Sequence, residues 1–429
     1  MNCRLDRMKN SGIEWIGEIP EEWNLIKIGS IFQCRNEKVN DTDYPPLSVS
    51  KGGVVPQMES VAKTDANDNR KLVLKNDFVI NSRSDRKQSC GLSLLEGSVS
   101  LINTVIYVID KKIILPQYTD YLLKNYGFAE EFYRWGHGIV ADLWTTRWQE
   151  MKNIALPLSS VEEQQRIADY LDKKCAAVDR LMENQRLQIE KLKEYKQSVI
   201  TEAVTKGIDK TVPLKSSGVE WIGDIPSKWF IGKKLAYYVA DSISYGIVKL
   251  LEPDDKNGVK VLRCSDVLEG YIEKQNIRTV TQKVSKEYTR TILKAGDIVV
   301  NVRGSLGGCA VVPIEMEGFN IAREVALIRL TSKLYNRFVM YYLLSNSFVN
   351  YRTRFLAGSV YIGLNIELLS SMPIVIPPLS EQQQIAEYLD KKCAEIDELI
   401  SIKQQKIEKL TEYKKSLIYE YVTGKKQVG

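Results

Sequence analysis

The chain has 429 residues, enough for two or three domains with ordinary hydrophobic cores. Hydrophobic residues make up 44% of it and charged residues 27%, and no run of eighteen apolar residues occurs, so we expect no membrane-spanning helix. The formal net charge of +6 permits a polyanionic partner but does not by itself indicate one.

The N-terminus and the cysteines bear on where the protein resides. The first ten residues, MNCRLDRMKN, lack the apolar core of a signal peptide, so we expect a cytoplasmic protein. None of the seven cysteines sits in a Cys-x-x-Cys pair. We therefore expect neither disulfides nor a zinc site.

A tryptophan-containing motif opens the chain and returns in its middle. Residues 11–23 read SGIEWIGEIPEEW, and residues 217–229 read SGVEWIGDIPSKW. Each copy is followed by a globular segment (about 24–156 and 230–376) and then by a long helical segment. This order, repeated once, predicts that the whole chain is a tandem duplication.

The two globular segments have diverged in sequence, but both are predicted to be mixed α/β. Short runs rich in valine and isoleucine, bounded by turn residues, predict strands. Apolar residues at helical spacing predict one amphipathic helix in each segment. The predicted strands are 104–109, 259–262, 298–302 and 324–330, and the predicted helices are 118–133 and 334–355.

The two long helical segments, 162–204 and 380–422, are the most alike parts of the chain. Apolar residues recur in both at alternating spacings of four and three, which is the a/d repeat of a coiled coil. Each helix should be roughly 60 Å long at 1.5 Å per residue, and the two are predicted to pack on each other as a rod. The predicted capping boxes at their starts are Ser160 with Glu163 and Ser380 with Gln383.

Polar residues occupy equivalent positions of the predicted seam: Gln185 corresponds to Lys403, and Lys196 to Lys414. Two interpretations of them are open. A polar group in a seam costs stability but fixes the register and orientation of the helices. Alternatively, these long side chains simply reach solvent at the edge of the seam.

The sequence lacks the motifs of common catalytic and nucleotide-binding sites. Its one histidine, His137, lies between two glycines, where a turn residue is more typical than a general base. No phosphate-binding Gly-x-x-x-x-Gly-Lys-Ser/Thr loop occurs. The nuclease spacing Asp…Glu-x-Lys does occur, but each time on one continuous helix, whereas a metal-dependent nuclease needs these groups to converge. The two matches are Asp179 with Glu194 and Lys196, and Asp397 with Glu412 and Lys414. We therefore expect a non-catalytic chain without a metal site.

Two motifs, each present twice and in the same order, carry a resemblance to a known family. The first is Glu14-Trp15-Ile16-Gly17-x-Ile19-Pro20-x-x-Trp23, and the second runs from Pro157-Leu through Glu163-Gln164-Gln165-Arg166-Ile167-Ala168-x-Tyr170-Leu171-Asp172. They resemble the specificity subunit of type I restriction–modification systems, over essentially the whole chain. The resemblance implies an α+β fold in which two mixed α/β target-recognition domains alternate with two long helices. The helices would form an antiparallel coiled coil with pseudo-two-fold symmetry. The implied boundaries are 1–156, 157–210, 211–376 and 377–429.

The same resemblance implies a function and a set of partners. Each recognition domain would read one half of a bipartite, asymmetric double-stranded DNA target, and the coiled coil would set the spacer. Two methyltransferase subunits would bring S-adenosylmethionine, and restriction/translocase subunits would bring ATP and magnesium, so this chain would bind no cofactor. Two alternatives are a self-contained methyltransferase or nuclease, for which no cofactor motif is present, and a coiled-coil scaffold with two protein-binding heads.

The candidate DNA contacts are polar loop residues. Arginine can fork onto guanine, and asparagine or glutamine onto adenine. The loops after the strand shared by both halves contain Asn81, Arg83, Ser84, Arg86, Lys87 and Gln88 in the first half and Asn301, Arg303 and Ser305 in the second. Further candidates are Lys51, Tyr245, Lys249 and Arg263. For any one of them, a solvated surface residue is the alternative interpretation.

Glycines and tryptophans leave further alternatives open. Gly304, Gly307 and Gly308 would either let the backbone approach a phosphate or serve as turn residues. Trp15 and Trp221 would either anchor a methyltransferase subunit, since tryptophan is enriched at interface hot spots, or pack in the core and lock each head to its helix.

Overall fold

The computed structural model describes residues 7–57, 69–83, 86–138, 144–248, 257–356 and 363–428. The chain falls into two units, each with its own hydrophobic core: unit 1 is residues 1–185 with 405–429, and unit 2 is residues 186–404. Each unit thus holds one globular head together with a part of each long helix. The head of unit 1 is called head 1, and the head of unit 2 is called head 2. No helix in the described part of the chain is long and apolar enough to cross a membrane.

Unit 1 contains thirteen of the described strands, four short helices and the start of a long one. Its strands are β1 Met8–Asn10, β2 Glu18–Pro20, β3 Asn24–Lys27, β4 Phe32–Cys34, β5 Lys38–Val39, β6 Leu47–Ser50, β7 Gly53–Pro56, β8 Arg70–Val73, β9 Phe78–Asn81, β10 Cys90–Leu92, β11 Gly97–Ser100, β12 Asn103–Val108 and β13 Ala155–Leu158. Its helices are α1 Ile28–Ile31, α2 Pro116–Lys124, α3 Tyr126–Arg134 and α4 Trp148–Met151, followed by the start of α5 Val161–Lys206.

Unit 2 contains the remaining described elements, including three short 3-10 helices at Leu235–Tyr238, Thr289–Thr291 and Ile314–Met316. Its strands are β14 Leu214–Ser216, β15 Asp224–Pro226, β16 Phe230–Gly232, β17 Ser244–Tyr245, β18 Val259–Leu262, β19 Arg278–Val280, β20 Ile298–Asn301, β21 Cys309–Val311, β22 Asn320–Ile321, β23 Val325–Ile328 and β24 Ile374–Ile376. Its helices are α6 Gln282–Glu287, α7 Asn336–Leu344, α8 Asn346–Leu356 and α9 Ile366–Ser371, followed by α10 Leu379–Val422, which ends in unit 1.

The two heads share the topology of their four-stranded sheets, whereas their three-stranded sheets differ: β11-β8-β5 is antiparallel throughout, and β19-β18-β22 contains the parallel pair β18–β22. The four-stranded sheet of head 1 has the order β10-β9-β12-β4, and that of head 2 has the order β21-β20-β23-β17. In both, the strand before the predicted DNA loop is central, and its apolar side chains are buried. The hairpins β1-β2 and β14-β15 and the pairs β3-β13 and β16-β24 also correspond. The duplication predicted from the sequence is therefore a duplication of the α+β fold.

The predicted strands are present with ends shifted by one or two residues, but each predicted head helix is two helices. Between α2 and α3, Asn125 takes an extended conformation, and its side-chain oxygen accepts a hydrogen bond from the Phe128 N–H (3.0 Å). Between α7 and α8, Ser345 does the same for Phe348 (3.4 Å). An N-cap residue inside the amphipathic stretch ends one helix and starts the next.

The long helices are 46 and 44 residues, and their starts differ. Ser160 accepts a hydrogen bond from the Glu163 N–H (3.3 Å), which is half of the predicted capping box. The second prediction is wrong: α10 begins at Leu379, so Ser380 lies inside the first turn, and the Gln382 N–H bonds the carbonyl of Pro378 (3.0 Å).

In unit 1, the first part of α5 packs antiparallel against the last part of α10. The Lys414 ammonium lies 2.7 Å from the Asp179 carboxylate, and Thr411 Oγ1 lies 3.5 Å from Met182 Sδ. Residue numbers thus rise on one helix as they fall on the other. The apolar seam residues are buried: Leu171, Cys175, Val178, Met182, Leu417 and Tyr421.

In unit 2, the other parts of the same helices pack in the same antiparallel way. The Lys196 ammonium lies 2.7 Å from the Asp397 carboxylate, and the Lys403 ammonium donates to the Gln188 side-chain oxygen (2.6 Å). Lys196 and Lys414 are only 20% and 28% exposed. Because both are paired across the helices, the structure favours the register-fixing interpretation over simple solvent exposure.

Candidate nucleic-acid interface

In unit 1, the repeated sequence motifs form the joint between head and helix. The indole N–H of Trp23 donates to the Glu163 carboxylate on the first turn of α5 (3.0 Å). Gln164 is fully buried; its oxygen accepts from the Leu115 N–H (2.9 Å), and its amide donates to the Ile113 carbonyl (2.9 Å). The start of α5 is thereby tied to the segment that leads into α2.

Unit 2 repeats the main bonds of this joint. The Trp229 indole donates to the Glu381 carboxylate (2.9 Å). Gln382 is buried, accepts from the Tyr335 N–H (2.7 Å) and donates to the Pro377 carbonyl (2.9 Å). The two motifs therefore share their sequences because both make the same head-to-helix contact.

A tyrosine–aspartate bond adds a further link between head and helix in each unit. The Tyr121 hydroxyl donates to Asp172 (2.5 Å), and the Tyr341 hydroxyl donates to Asp390 (2.7 Å). Burial, with the bond to the carboxylate, raises the pKa of both phenols well above the ordinary value. The tyrosines therefore keep their protons and act as donors at neutral pH.

The loop after β9 presents two arginines of head 1. The Asn81 side-chain oxygen accepts from the Arg83 N–H (3.0 Å), which turns the chain directly after the strand. Arg83 is exposed, and its backbone forms a β-bridge with Thr145. Arg86 is exposed as well, whereas Ser84 lies outside the described residues. Arg83 is thus exposed directly after a turn that the Asn81 side chain stabilises.

The remaining candidates of head 1 differ in their contacts and in their exposure to solvent. The Lys87 ammonium is 3.0 Å from the Glu130 carboxylate and 4.1 Å from the centre of the Tyr133 ring. Gln88 is half-buried with a positive φ of 62°, and Lys51 is exposed at the β6–β7 turn. Lys87 is therefore held against α3, while Lys51 is open to solvent.

In head 2, Asn301 supports the loop instead of facing solvent, which corrects its selection as a base-reading residue. The side chain is 2% exposed. Its amide donates to the carbonyls of Cys264 (2.9 Å), Val267 (3.0 Å) and Ser305 (3.2 Å). Reaching a base would break all three bonds, so we do not retain it.

Arg263 needs the same correction, because its guanidinium is committed to a neighbour. It makes two hydrogen bonds to the buried Asp266 carboxylate (3.1 and 3.0 Å) and a third to the Asn276 carbonyl (3.3 Å). Releasing it would leave a buried charge unpaired, which is strongly destabilising. The nearby candidate Lys249 lies outside the described residues.

Arg303, Ser305 and Tyr245 form the candidate surface that remains in head 2. The Arg303 guanidinium lies 5.4 Å from the centre of the Tyr245 ring, and the Tyr245 hydroxyl accepts from the Ile366 N–H (3.0 Å). Ser305 is exposed. An arginine stacked on a fixed ring is partly pre-organised for a planar contact.

The glycines of this loop act as turn residues. Gly304 and Gly307 have φ values of 75° and 126°. A Cβ on Gly308 would lie 2.1 Å from the Val267 carbonyl oxygen, so no side chain fits. The turn interpretation accounts for Gly304 and Gly307, and close packing against Val267 accounts for Gly308.

The tryptophans of the opening motifs pack in the heads. Trp15 is 7% exposed and meets Phe128 edge to face at 6.0 Å. Trp221 is half-buried and packs against Tyr351, with ring centres 5.4 Å apart. The core-packing interpretation holds for Trp15, which leaves no indole face for a partner and corrects its selection as an anchor.

The apparent nuclease spacings resolve into the cross-helix ion pairs described above. Each lysine pairs with the aspartate of the other sequence repeat, Lys196 with Asp397 and Lys414 with Asp179, and not with the acid of its own. In the described part of the chain, no group of three or more His, Cys, Asp or Glu side chains could hold a metal ion.

One repeated feature was missed in the sequence. Large apolar side chains lie exposed on the outer faces of the long helices at equivalent repeat positions, Leu181 (48%) with Leu399 (47%) and Tyr195 with Tyr413. They fall outside the a/d seam, so aligning the two repeats and examining the non-seam positions would have found them. These four side chains are therefore a repeated feature of the exposed helix faces.

Comparison with known proteins points to one family. A family model described as the type I restriction modification DNA specificity domain matches residues 20–191 and 239–412. A putative type I restriction enzyme MjaX specificity subunit of Methanocaldococcus jannaschii is 26% identical over 438 residues, covering 96% of each chain. The MjaVIII specificity subunit of the same organism is also 26% identical, over 96% of this chain and 94% of its own. A solved chain from work on complex assembly and conformational transition of the type I R-M system has a similar fold. Its TM-score is 0.72 at 16% identity, covering 95% of this chain and 99% of that one.

Proposed function

Because this chain belongs to the type I restriction–modification specificity subunits, with two recognition domains, we propose that each head reads one half of a bipartite, asymmetric DNA target. The observation that carries the proposal is the contrast between joints and loops. The joints of both units contain the same tryptophan–glutamate bond and the same bond from a backbone N–H to a buried glutamine. The loops after β9 and β20 differ in length, in charge and in what holds them. Matching head-to-helix joints that carry two different loops are what we expect of a protein that reads two different half-sites.

The paired helices are proposed to set the number of unread base pairs between the half-sites. The cross-helix pairs Asp179–Lys414 and Lys196–Asp397 support this, because they favour a single register of one helix against the other. Mapping methylated adenines in the host genome tests the proposal. We expect two short defined sequences separated by a spacer of constant length. A contiguous motif, or a spacer of variable length, would contradict it.

A scaffold with two protein-binding heads is the second candidate function. Salt titration of binding to duplex DNA separates the two, because each neutralised phosphate contributes a slope of about −0.9 in log K against log salt. The measurement should use the chain purified with its methyltransferase subunits. A scaffold would show no such dependence.

Catalysis and cofactors are proposed to reside on partner subunits. In this proposal S-adenosylmethionine binds the two methyltransferase subunits, and ATP and magnesium bind the restriction/translocase subunits. Equilibrium dialysis of the purified chain with labelled S-adenosylmethionine tests the first part. Binding, methylation or cleavage by the chain alone would contradict it.

Replacing Arg303 by alanine is expected to relax recognition at one base pair of the half-site read by head 2. A bidentate arginine–guanine contact is worth about 1–3 kcal/mol of discrimination, or roughly 5- to 150-fold in affinity ratio. The matched variant Arg83→Ala should relax the other half-site instead. Competition binding with single-base-pair changes measures both. Equal weakening on every sequence would make Arg303 a phosphate contact.

Methyltransferase docking is proposed at the exposed apolar positions Leu181 in unit 1 and Leu399 in unit 2. One such position per unit matches two copies of one partner, and the burial of Trp15 leaves the helix faces as the better surface. Leu181→Glu and Leu399→Glu should each remove one methyltransferase copy, and the double variant both. The mass of the co-purified complex measures this.

The control for this docking experiment is Trp221→Ala. It should lower the melting temperature, because the ring packs against Tyr351, without changing the number of bound subunits. Two methyltransferase copies on the double glutamate variant would rule out these positions as the docking surface.

A further inference from the structure

A cleft of about 460 Å³ lies within unit 1, between head 1 and the paired helices. Its walls carry Lys51 and Gln88 from head 1, Lys124 from the end of α2, and Lys414 and Lys415 from α10. Lys51 and Gln88 were selected from the sequence as DNA contacts; the other three lysines were not. The cleft therefore brings the head and the helical frame together around one set of ammonium groups.

The carboxylates of this cleft are already engaged. Asp120 accepts from the Leu92 N–H (2.8 Å), and Asp172 accepts from the Tyr121 hydroxyl (2.5 Å). Asp179 is paired with Lys414 (2.7 Å). The first two bonds come from uncharged donors and leave the negative charges of Asp120 and Asp172 in place. Four lysines and three aspartates line the cleft, so its lining carries one net positive charge.

Two of the cleft lysines have no such partner. Among the described residues, no carboxylate lies within ion-pair distance of Lys51 or Lys124. Lys415 pairs with Glu412 in an exposed contact of little expected strength. Lys51 and Lys124 are thus the two lysines of the cleft that no ion pair holds.

The backbone of the β6–β7 hairpin brings these two lysines to the same end of the cleft. A Cβ on Gly91 would lie 3.0 Å from the Cα of Gly53, so the hairpin that carries Lys51 packs closely on β10. The Lys124 ammonium lies 3.8 Å from where a Cβ on Gly53 would be. Gly53 is two residues from Lys51, and both lysines line the same cleft.

Unit 2 has a cleft with a corresponding floor, including Tyr341, Asp390 and Cys393, but without this excess of charge. Its cations are paired: Lys196 with Asp397 (2.7 Å), Arg337 with Asp390 (2.6 Å) and Lys193 with Glu190 (3.0 Å). The lysines without an ion pair therefore line the cleft of unit 1, although the residues at the floor of the cleft correspond in the two units.

We propose that Lys51 and Lys124 bind phosphate groups of the DNA backbone at the unit 1 cleft, beside the bases that head 1 reads. The inference rests on the proposed function and assigns a backbone contact within it. Phosphate contacts fix the position of a protein on the duplex without carrying sequence information. Head 1 is then held on its half-site by two backbone contacts at this cleft, and head 2 has no corresponding contacts.

The test compares Lys51→Gln and Lys124→Gln with wild type, each as the full chain purified with its methyltransferase subunits. Affinity for a duplex with the mapped target and for one without it is measured across a range of salt concentrations. Each variant should reduce the slope of log K against log salt by about 0.9 on both duplexes. The ratio of the two affinities should stay unchanged, because a phosphate contact does not depend on the base sequence.

Lys193→Gln, in the unit 2 cleft, is the matched control and should leave the slope unchanged, because no phosphate is proposed to bind there. A wild-type slope in Lys51→Gln and Lys124→Gln would overturn the inference, as would a loss of discrimination at the half-site of head 1. A wild-type complex that binds no duplex would overturn the proposed function itself. Thermal unfolding should place all three variants within about 0.5 kcal/mol of wild type, as expected for surface substitutions.

Discussion

Replacing Gln164 by alanine is expected to lower the free energy of unfolding by about 3–5 kcal/mol. The side chain is fully buried and satisfies three backbone groups: the Leu115 N–H (2.9 Å) and the carbonyls of Ile113 (2.9 Å) and Ser159 (3.0 Å). Each buried group left without a partner costs about 1–3 kcal/mol, and losses at one site are not additive. Urea unfolding at constant pH measures the change.

The neighbouring glutamine provides the control for this prediction. Gln165 is exposed and bonds only Asp169, one turn along the same helix (2.8 Å). Gln165→Ala should therefore change stability by less than about 0.5 kcal/mol. In unit 2, Gln382→Ala and Gln383→Ala should differ in the same way. Equal effects of the buried and exposed substitutions would show that the joint contributes nothing to stability.

Gly308→Ala is expected to abolish reading of the half-site assigned to head 2 and to destabilise unit 2 by about 3 kcal/mol. The added Cβ would lie 2.1 Å from the Val267 carbonyl oxygen and 2.3 Å from the Asn301 amide nitrogen. Neither can yield freely, because Asn301 itself bonds Val267. Overpacking of this kind costs about 1–3 kcal/mol, and more when backbone must move. The loop that carries Arg303 would have to shift.

Gly318→Ala separates this clash from the general cost of replacing a glycine. Gly318 has a φ of 85° with no atom within 4 Å of its Cβ position, so only backbone strain of about 1–2 kcal/mol is expected. Competition binding at each half-site, with thermal unfolding, distinguishes the two variants. Normal recognition by Gly308→Ala at the half-site of head 2 would argue against a role for this loop.

Periodicity predicted the long helices and the strands well, because both signals are local. The a/d repeat gave α5 and α10 nearly to their ends, and short valine-rich runs gave β18 and β20. The breaks at Asn125 and Ser345 were missed, because a capping residue within an amphipathic run looks like any other polar position. Their recurrence at equivalent places in the two heads was a usable signal.

The candidate site was predicted less well, because the hydrogen-bond partners of a side chain can come from distant parts of the chain. Asn301 is held by carbonyls 34 and 37 residues away, which no local pattern reveals. Arg263 is different, because its partner Asp266 is only three residues further along the chain. This spacing could have predicted the ion pair. The unit 1 cleft combines residues of head 1, α2 and α10, so it becomes visible only in the folded chain.

The exchange of ion-pair partners between the two helices has a consequence for how the chain can change over generations. Lys414 neutralises Asp179, and Lys196 neutralises Asp397, so the mate of each charge is encoded in the opposite repeat. A substitution that removes one of these charges can be compensated only at its partner, about two hundred codons away in the other repeat. The helical repeats must then co-evolve and drift little, whereas the recognition loops, which bond within their own head, are free to diversify.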